Sequence, residues 1–145
     1  MTSESTPDET AAQHHPEPAH PMSPFGVFMG LRFSEVTDEY VRAILDTEPH
    51  HLNPTGMIHG GVFIALSDNV ATAMANRAHQ AIDGDERFMV GIDLHASMIS
   101  NQPGGTITFE ARPVRVGRRV AFIRTTVTGT GDRVLAEVTT THVPA

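Results

Sequence analysis

The sequence predicts one α+β domain in which a single long helix packs on one face of an antiparallel sheet. Three observations lead to this prediction. With 145 residues, the chain has room for one domain and not for a second full one. Residues 60–79 contain no Pro, are rich in Ala and are typical of a helix. Four segments rich in Val, Ile, Thr and Phe follow, and these are typical of strands.

The elements before the helix are shorter. Residues 25–30 are apolar and predict one helical turn, and residues 31–37 alternate in the manner of a strand. Residues 38–47 are ambiguous, because Asp38 could cap a helix. We favour a strand there, because apolar residues recur at every second position from 41 to 45.

A loop leads into the helix, and turns separate the later strands. Residues 48–58 contain two prolines, an Asn and a Gly, which predict a loop. The four strands are predicted at residues 87–100, 105–116, 118–130 and 133–143. Because the strands are long and the turns between them short, we expect a meander joined by hairpins, with the helix against one face.

Composition excludes several kinds of chemistry. The chain has 17 acidic and 10 basic residues and a net charge of -7, which argues against nucleic-acid binding, because phosphates need a basic surface. All basic residues are Arg, so no Lys can form a Schiff base or serve a phosphate-binding loop. Cys is absent, which excludes disulfides, thiol nucleophiles and thiolate metal sites.

Residues 1–24 differ in composition from the rest of the chain. They hold four carboxylates, no Arg and five of the 10 prolines. Such a segment buries too little apolar surface to offset its ordering entropy, so we expect a disordered tail followed by a domain at residues 25–145. The tail lacks the basic start and apolar core of a secretory signal. No apolar run approaches the roughly 20 residues of a membrane span, so we expect a cytoplasmic protein that binds no membrane.

The histidine pairs do not predict a metal site. His14, His15 and His20 lie in the tail, and His50 and His51 lie in the loop. No carboxylate or third His falls at ligand spacing from either pair. We therefore expect solvated polar side chains and no bound metal.

The central helix carries one anomaly. Its residues are apolar nearly all round, which predicts burial on most sides. Asp68 lies in the middle, with Ile64 one turn before it and Thr72 one turn after it. A buried carboxylate without a partner costs several kcal/mol. Either a backbone group or an Arg satisfies Asp68, or the residue is functional.

A second feature lies where the loop enters the helix. His59 precedes Gly60 and Gly61, whose backbone N–H groups can bind an oxyanion or carbonyl oxygen at the positive end of the helix dipole. The alternative is that the glycines only let the helix pack closely on strands. His59 and Asp68 are about 13 Å apart along a helix, too far for one carbonyl to reach both. Asp68 is therefore either unrelated or supplied by a second subunit.

Seven residues of this region form an ordered pattern: Asn53, Gly56, His59, Gly60, Gly61, Leu66 and Asp68. In order and spacing they resemble the hotdog-fold acyl-CoA thioesterases of the PaaI-like type. The resemblance extends from about residue 25 to residue 143 and includes the long strands and residues 90–94. It implies a long antiparallel sheet wrapped around one central helix, and it says little about the acyl group.

The resemblance also implies a role for each residue. Members of the family dimerise, often form tetramers, and have active sites between subunits, so Asp68 would face the helix start of a partner. The Gly60 N–H would polarise the thioester carbonyl, while Asp68 would act as general base on water or as nucleophile. Asn53 would position water or substrate, and His59 would shape the oxyanion site.

One residue departs from the family pattern. Some relatives have a hydroxyl residue at the position of Gly91 and use it to hold the attacking water. Gly91 cannot do so, which leaves three possibilities: Asn53 or Thr72 takes the role, turnover is slower, or Asp68 attacks directly. We accordingly expect Thr72, together with Gly61, to contact the substrate.

Three arginines cluster within residues 114–120, around the turn that joins two predicted strands: Arg115, Arg118 and Arg119. The charges could simply mark a solvated hairpin that discourages edge pairing. The phosphates of coenzyme A also suit Arg, and in the family basic residues near this hairpin often meet them. We therefore expect these residues to bind coenzyme A.

The expected function is hydrolysis of small, aromatic or medium-chain acyl-CoA, with coenzyme A as part of the substrate and no cofactor. A thioester has a good leaving group, so one base and one oxyanion donor suffice. Two alternatives stay open on the same fold: a non-catalytic protein that binds acyl-CoA or another small ligand, and a dehydratase or hydratase. By resemblance the protein is at least a homodimer, and a homotetramer is expected.

Overall fold

The computed structural model describes residue 18, residues 20–84 and residues 86–145, apart from the side chain of Asp83. Its helices and strands are α1 (Pro24–Phe28), β1 (Arg32–Val36), β2 (Val41–Asp46), α2 (Gly60–Asp83), β3 (Met89–Met98), β4 (Thr106–Val116), β5 (Ala121–Thr128) and β6 (Val134–Pro144). Short 3-10 turns lie at Pro49–His51 and Thr130–Asp132. Each predicted helix and strand is present within a few residues of its expected place, and residues 38–47 contain the strand β2.

The strands form one antiparallel sheet in the order β1-β2-β4-β5-β6-β3. The helix α2 lies against one face and contacts every strand from β2 to β6. The predicted α+β architecture, with a long antiparallel sheet around one central helix, is therefore confirmed.

The expected meander holds for β4, β5 and β6 and is wrong for β3. This strand pairs with β6, at the side of the sheet remote from β1. The reason is that β2 already occupies the other side of β4, with Val41 opposite Ala111. Residues 99–105 therefore cross between the two sides of the sheet instead of forming a hairpin. Asn101 ties this crossing to the loop before α2, because its Nδ2 donates to the carbonyl oxygen of Ile58 over 2.8 Å.

The core lies between α2 and the face of the sheet that α2 covers. Leu66, Val70 and Met74 share one buried face of the helix, and they are fully buried. Phe109 and Ile123 are fully buried side chains of β4 and β5. Truncating a side chain of this kind to Ala costs about 2–5 kcal/mol, so this packing holds α2 in place.

The helix α2 continues one turn beyond its predicted end. Gly84 stops it in the left-handed conformation (φ 62°), where its N–H donates to the carbonyl oxygen of Gln80 over 2.9 Å. Although α2 has 24 residues, no helix in the described part of the chain is long and apolar enough to cross a membrane.

The predicted tail falls mostly outside the described residues, as do His14 and His15. Near its end, Met22 packs against the core. Ser23 caps α1 by accepting a hydrogen bond from the Gly26 N–H over 3.0 Å. These contacts attach the end of the tail to the domain.

The expectation of a solvated side chain is wrong for His51, which is 1% exposed. Its Nδ1 accepts from the Glu48 N–H over 2.9 Å, so its Nε2 donates to the carbonyl oxygen of Met29 over 2.8 Å. The ring thus fastens the loop before α2 to the end of α1. His50 is exposed, and no group of three possible metal ligands lies together among the residues that the structure describes.

Candidate active site

The start of α2 leaves one backbone donor open. His59 is the N-cap residue, and its Nδ1 accepts from the Gly61 N–H over 2.8 Å. A Cβ at Gly61 would lie 2.9 Å from that Nδ1, so a glycine is needed for the ring to close the cap. The Gly60 N–H donates to no acceptor among the described residues. Gly60, and not Gly61, therefore offers an N–H to an oxyanion.

The loop before α2 is folded by Asn53. Its Oδ1 accepts from the backbone N–H of Thr55 over 2.9 Å, from the Thr55 hydroxyl over 2.7 Å and from the Met57 N–H over 3.2 Å. Gly56 has a φ of 82°, which completes the turn. The amide oxygen of Asn53 is thereby committed to the loop, and only the amide NH2 group can reach a substrate.

Asp68 lies in the middle of α2 and is half-buried, whereas the helix pattern predicted that it would be fully buried. Its carboxylate forms no hydrogen bond or ion pair with any described residue. The reason for its partial exposure is that it lies beside β3, and β3 is an edge strand with nothing beyond it in one protomer. Neither structural explanation considered for Asp68, a backbone partner or an Arg partner, is found among the described residues.

Gly91 leaves a space beside the Asp68 carboxylate. A Cβ at Gly91 would lie 3.2 Å from Oδ1 of Asp68 and 3.6 Å from Nε2 of His142. Its φ is not positive, so the backbone does not require a glycine. A bulge in β3 follows at once, between Gly91 and Asp93. The absent side chain therefore keeps a small volume open between a carboxylate and an imidazole.

His142 completes this cluster and was missed in the sequence. It is fully buried on β6, and its Nε2 lies 3.0 Å from Oγ1 of Thr72. Burial lowers the pKa of His142, and the nearby Asp68 carboxylate partly opposes that effect. The local sequence around His142 is a run of threonines and carries no signal of a site. Only the pairing of β6 with β3, which puts His142 opposite Gly91, brings it beside Asp68.

The three hairpin arginines lie at the same end of the sheet as this cluster. Ala121, His142 and Gly91 form one row across β5, β6 and β3, and the β4–β5 turn precedes Ala121 directly. Arg119 is thus about 7 Å of extended chain from that row. Arg115, Arg118 and Arg119 are exposed. Among the described residues, Arg115 and Arg119 form no ion pair.

The structure therefore assembles two half-sites in one protomer and leaves them apart. The first is the start of α2, with its free Gly60 N–H. The second is the cluster of Asp68, Thr72, Gly91 and His142. Because α2 is one continuous helix, the distance of about 13 Å between the half-sites remains.

Known proteins share this sequence and fold. The sequence profile of the thioesterase superfamily matches residues 55–136. The protein Rv1847 of Mycobacterium tuberculosis strain H37Rv, named provisionally as an esterase, is 33% identical over 121 residues, which cover 83% of this chain and 86% of that protein. Its solved structure has a TM-score of 0.78 to this chain at 28% identity, covering 85% of this chain and 97% of the other.

Two Escherichia coli proteins are more distant. The structure of the PaaI protein has a TM-score of 0.76 at 13% identity and covers 85% of both chains, which confirms the hotdog fold. The 1,4-dihydroxy-2-naphthoyl-CoA hydrolase is 21% identical over 92 residues, 63% of this chain and 65% of that protein. The matched profile and the relationship to Rv1847 show that this chain is a hydrolase that belongs to the thioesterase superfamily.

Proposed function

We propose that this protein is an acyl-CoA thioesterase that hydrolyses small, aromatic or medium-chain acyl-CoA to the free acid and coenzyme A. The observation that carries the proposal is the unpartnered Asp68 carboxylate beside the space at Gly91. A base positioned beside room for water is what hydrolysis of a thioester requires. A relative whose name describes an aromatic CoA ester as its substrate supports this substrate class.

We place the complete site between two copies of the chain. The helix α2 and the strand β3 run side by side in opposite directions. Gly60 at the start of α2 lies beside Met98 at the end of β3, because a Cβ at Gly60 would be 3.7 Å from Cε of Met98. Asp68, further along α2, lies beside Gly91 near the start of β3. Suppose two β3 edges pair antiparallel about a twofold axis midway between Gly91 and Met98. Gly91 of one copy then lies opposite Met98 of its partner. Asp68 thereby comes close to the Gly60 N–H of the partner, which removes the separation of about 13 Å.

The exposed surface of β3 favours this pairing. Ile92 is 61% exposed and Ile99, just beyond the strand, is 56% exposed. An apolar edge strand is a template for pairing with a second chain. A tetramer would need another surface, and the exposed apolar side chains of α1, led by Phe28, offer one.

The two half-sites then divide the reaction between them. The Gly60 N–H of one copy donates to the thioester carbonyl oxygen, and Asp68 of the other takes a proton from water as the water oxygen adds to the carbonyl carbon. The resulting oxyanion stays bonded to the Gly60 N–H, a contact worth about 3–4 kcal/mol. When the C=O bond re-forms, the C–S bond breaks, and the leaving thiolate takes the proton held by Asp68.

The remaining predicted residues support this arrangement. His59 holds the start of α2 in shape by capping Gly61, and Asn53 folds the loop and offers its amide NH2 to the substrate. Arg115 and Arg119, exposed at the same end of the sheet as Asp68, are proposed to bind the phosphates of coenzyme A.

The acyl group is proposed to enter a cavity that borders Thr72. Half of the residues that line it have apolar side chains, among them Met22, Phe33, Ala73 and Phe88. The cavity lies one helical turn from Asp68, which suits a carbonyl held at the carboxylate with its acyl chain pointing away.

A panel of acyl-CoA substrates with a thiol-release readout tests the proposal. The wild type should hydrolyse at least one substrate, and Asp68→Asn should lower kcat at least about 100-fold. Asp46→Asn, the same change on an exposed residue of β2, is the control and should leave kcat unchanged. If Asp68→Asn keeps its activity, the result would contradict the mechanism. If the protein binds acyl-CoA without releasing thiol, the result would favour a binding protein. If it hydrates an enoyl-CoA, the result would favour a hydratase.

The site between subunits has its own test. Ile92→Glu places a charge on the β3 edge and should give a monomer without thioesterase activity, whereas Ile82→Glu, on a residue 52% exposed at the end of α2, should change neither property. Light scattering after size exclusion measures the mass. A monomeric Ile92→Glu variant with wild-type activity would show that the site is complete within one chain.

A further inference from the structure

His142 is buried without a structural explanation. It is fully buried, and its Nδ1 has no hydrogen-bond partner among the described residues. An apolar residue would fill the same position without leaving a polar atom unsatisfied, and such an atom costs about 1–3 kcal/mol. By contrast, both ring nitrogens of the buried His51 are hydrogen-bonded. A cost of this kind calls for an explanation, and the position of His142 beside Asp68 points to one.

The contact with Thr72 selects one tautomer of the ring. If Nδ1 carried the proton, a buried N–H donor would be left without an acceptor, which is rarer than an unsatisfied acceptor. The proton therefore belongs on Nε2, which donates to the Thr72 hydroxyl oxygen over 3.0 Å. The hydroxyl hydrogen of Thr72 is then free to donate to a third group.

The third group belongs in the space beside Gly91. Asp68 Oδ1 and His142 Nε2 both border that space, and Thr72 lies one helical turn from Asp68 and is bonded to the same Nε2. A water there could accept from the Thr72 hydroxyl and donate to the Asp68 carboxylate. These two bonds would hold the water oxygen in a fixed orientation.

We propose that His142 is a positioning residue for hydrolysis, which holds the Thr72 hydroxyl so that Thr72 and Asp68 together orient the attacking water. The arrangement replaces the hydroxyl side chain that this chain lacks at Gly91. His142 takes no proton from the substrate and touches no reacting atom. This inference rests on the proposed thioesterase activity.

The arrangement requires a neutral imidazole. A protonated ring would carry a second N–H with no acceptor, and its charge would draw the Asp68 carboxylate away from the water. Among the described residues, Asp68 is the charged group that faces His142. The residues opposite His142 on the two neighbouring strands, Gly91 and Ala121, are uncharged. Burial holds the pKa of His142 below its usual 6.5, so the ring is neutral at pH 7. Activity should fall as the pH drops through that lowered value.

Four variants test this role. His142→Phe and Thr72→Val should each lower kcat about 10-fold with KM nearly unchanged, and the double variant should lose no more than either alone, because both break one connection. His142→Gln keeps an N–H near Thr72 and should stay within about 3-fold of wild-type kcat. The acid limb of the Gln variant should nevertheless lie at lower pH than that of the wild type, because Gln does not titrate.

Thr140→Val is the matched control for Thr72→Val. Thr140 is 2% exposed on the same strand as His142, and its hydroxyl has no partner among the described residues, so this variant should keep wild-type kcat. Thermal unfolding shows whether each variant is folded, and kcat is taken per folded site.

The outcomes separate this inference from the proposed function. A wild type that hydrolyses no thioester overturns both. An active wild type overturns the role of His142 alone if folded His142→Phe keeps its kcat or if the Phe and Val effects multiply. It also does so if the acid limb of His142→Gln lies at the same pH as that of the wild type.

Discussion

Two groups of charged side chains in this molecule are built in opposite ways. On the sheet, Arg42 bonds Glu35 over 2.7 Å and Glu110 over 2.6 Å, and Arg112 bonds Glu110 over 2.7 Å. We call this group the sheet cluster; its members are Glu35, Tyr40, Arg42, Glu110 and Arg112. Beside the helix, the Asp68 carboxylate has no bonded partner among the described residues.

The difference separates charges that stabilise the fold from charges held for a substrate. In the sheet cluster, every charged side chain forms an ion pair with another member of the cluster. The guanidinium groups of Arg42 and Arg112 also lie over the Tyr40 ring, at 5.0 and 4.6 Å from its centre. Asp68 and the hairpin residues Arg115 and Arg119 are left open, which a folded chain tolerates where a bound molecule completes the contacts. Changes at the open charges should therefore alter activity, and changes in the sheet cluster should alter stability.

The largest effect is expected from filling the space beside Asp68. Gly91→Val should lower kcat about 100-fold, because its side chain would displace the carboxylate and any water there. The fold should tolerate the change, since Gly91 has no positive φ and Val suits a strand. Steady-state kinetics and thermal unfolding measure the two effects. A variant with full activity would show that the space has no role.

A smaller effect is expected at the hairpin. Replacing both Arg115 and Arg119 by Ala should raise KM for acyl-CoA about 10-fold and leave KM unchanged for a thioester without the nucleotide. Arg124→Ala, an exposed arginine of β5, is the control. Equal increases in KM for both substrates would count against phosphate binding.

In the sheet cluster, Glu110→Gln should cost about 1 kcal/mol at pH 7 and leave kcat unchanged. Burial raises the pKa of Glu110, but hydrogen bonds from Arg42 and Arg112 outweigh it and hold the pKa below its usual 4.5. A lowered carboxyl pKa stabilises the fold at pH values above 4.5, and this stabilisation is lost as the pH falls through the lowered value. Urea unfolding should therefore show that the free energy of unfolding is larger for the wild type than for the variant at pH 7, and that this difference disappears at acid pH.

The smallest effect is expected from the exposed pair of Arg32 and Asp46, which lie 3.2 Å apart with side chains 56% and 64% exposed. Arg32→Gln should change the free energy of unfolding by less than about 0.5 kcal/mol and leave kcat unchanged. Urea unfolding at pH 7 measures it beside Glu110→Gln. A cost as large as that of Glu110→Gln would show that burial does not distinguish the two pairs.

The parts of the site that lie close together in the chain could be predicted. Asn53, His59 and Gly60 occur within one loop and helix start, so the sequence alone places them near one another. The cap of His59 on the Gly61 N–H was not predicted. Asp68 stood out because a carboxylate is rare in an apolar helix. Its unpaired state and partial exposure could not be read from the helix, because they depend on where the edge strand β3 lies.

His142 shows what local patterns cannot contain. It is 74 residues from Asp68 in the chain, and no spacing rule connects the two. The meander expectation would have put β3 beside β4, and then Gly91 would not face His142 at all. Strand order depends on which edges are already occupied, and that is a property of the whole sheet.

By itself, the sequence determined the helix, the strands, the loop motif and the absence of thiol and Lys chemistry, because propensity, spacing and composition are local or additive properties. Only the tertiary structure decided the strand order, the space beside Asp68 and the contact between Thr72 and His142. These depend on β6, which is far along the chain from α2 and β3, and hydrophobic packing and strand pairing bring the three elements together at one point.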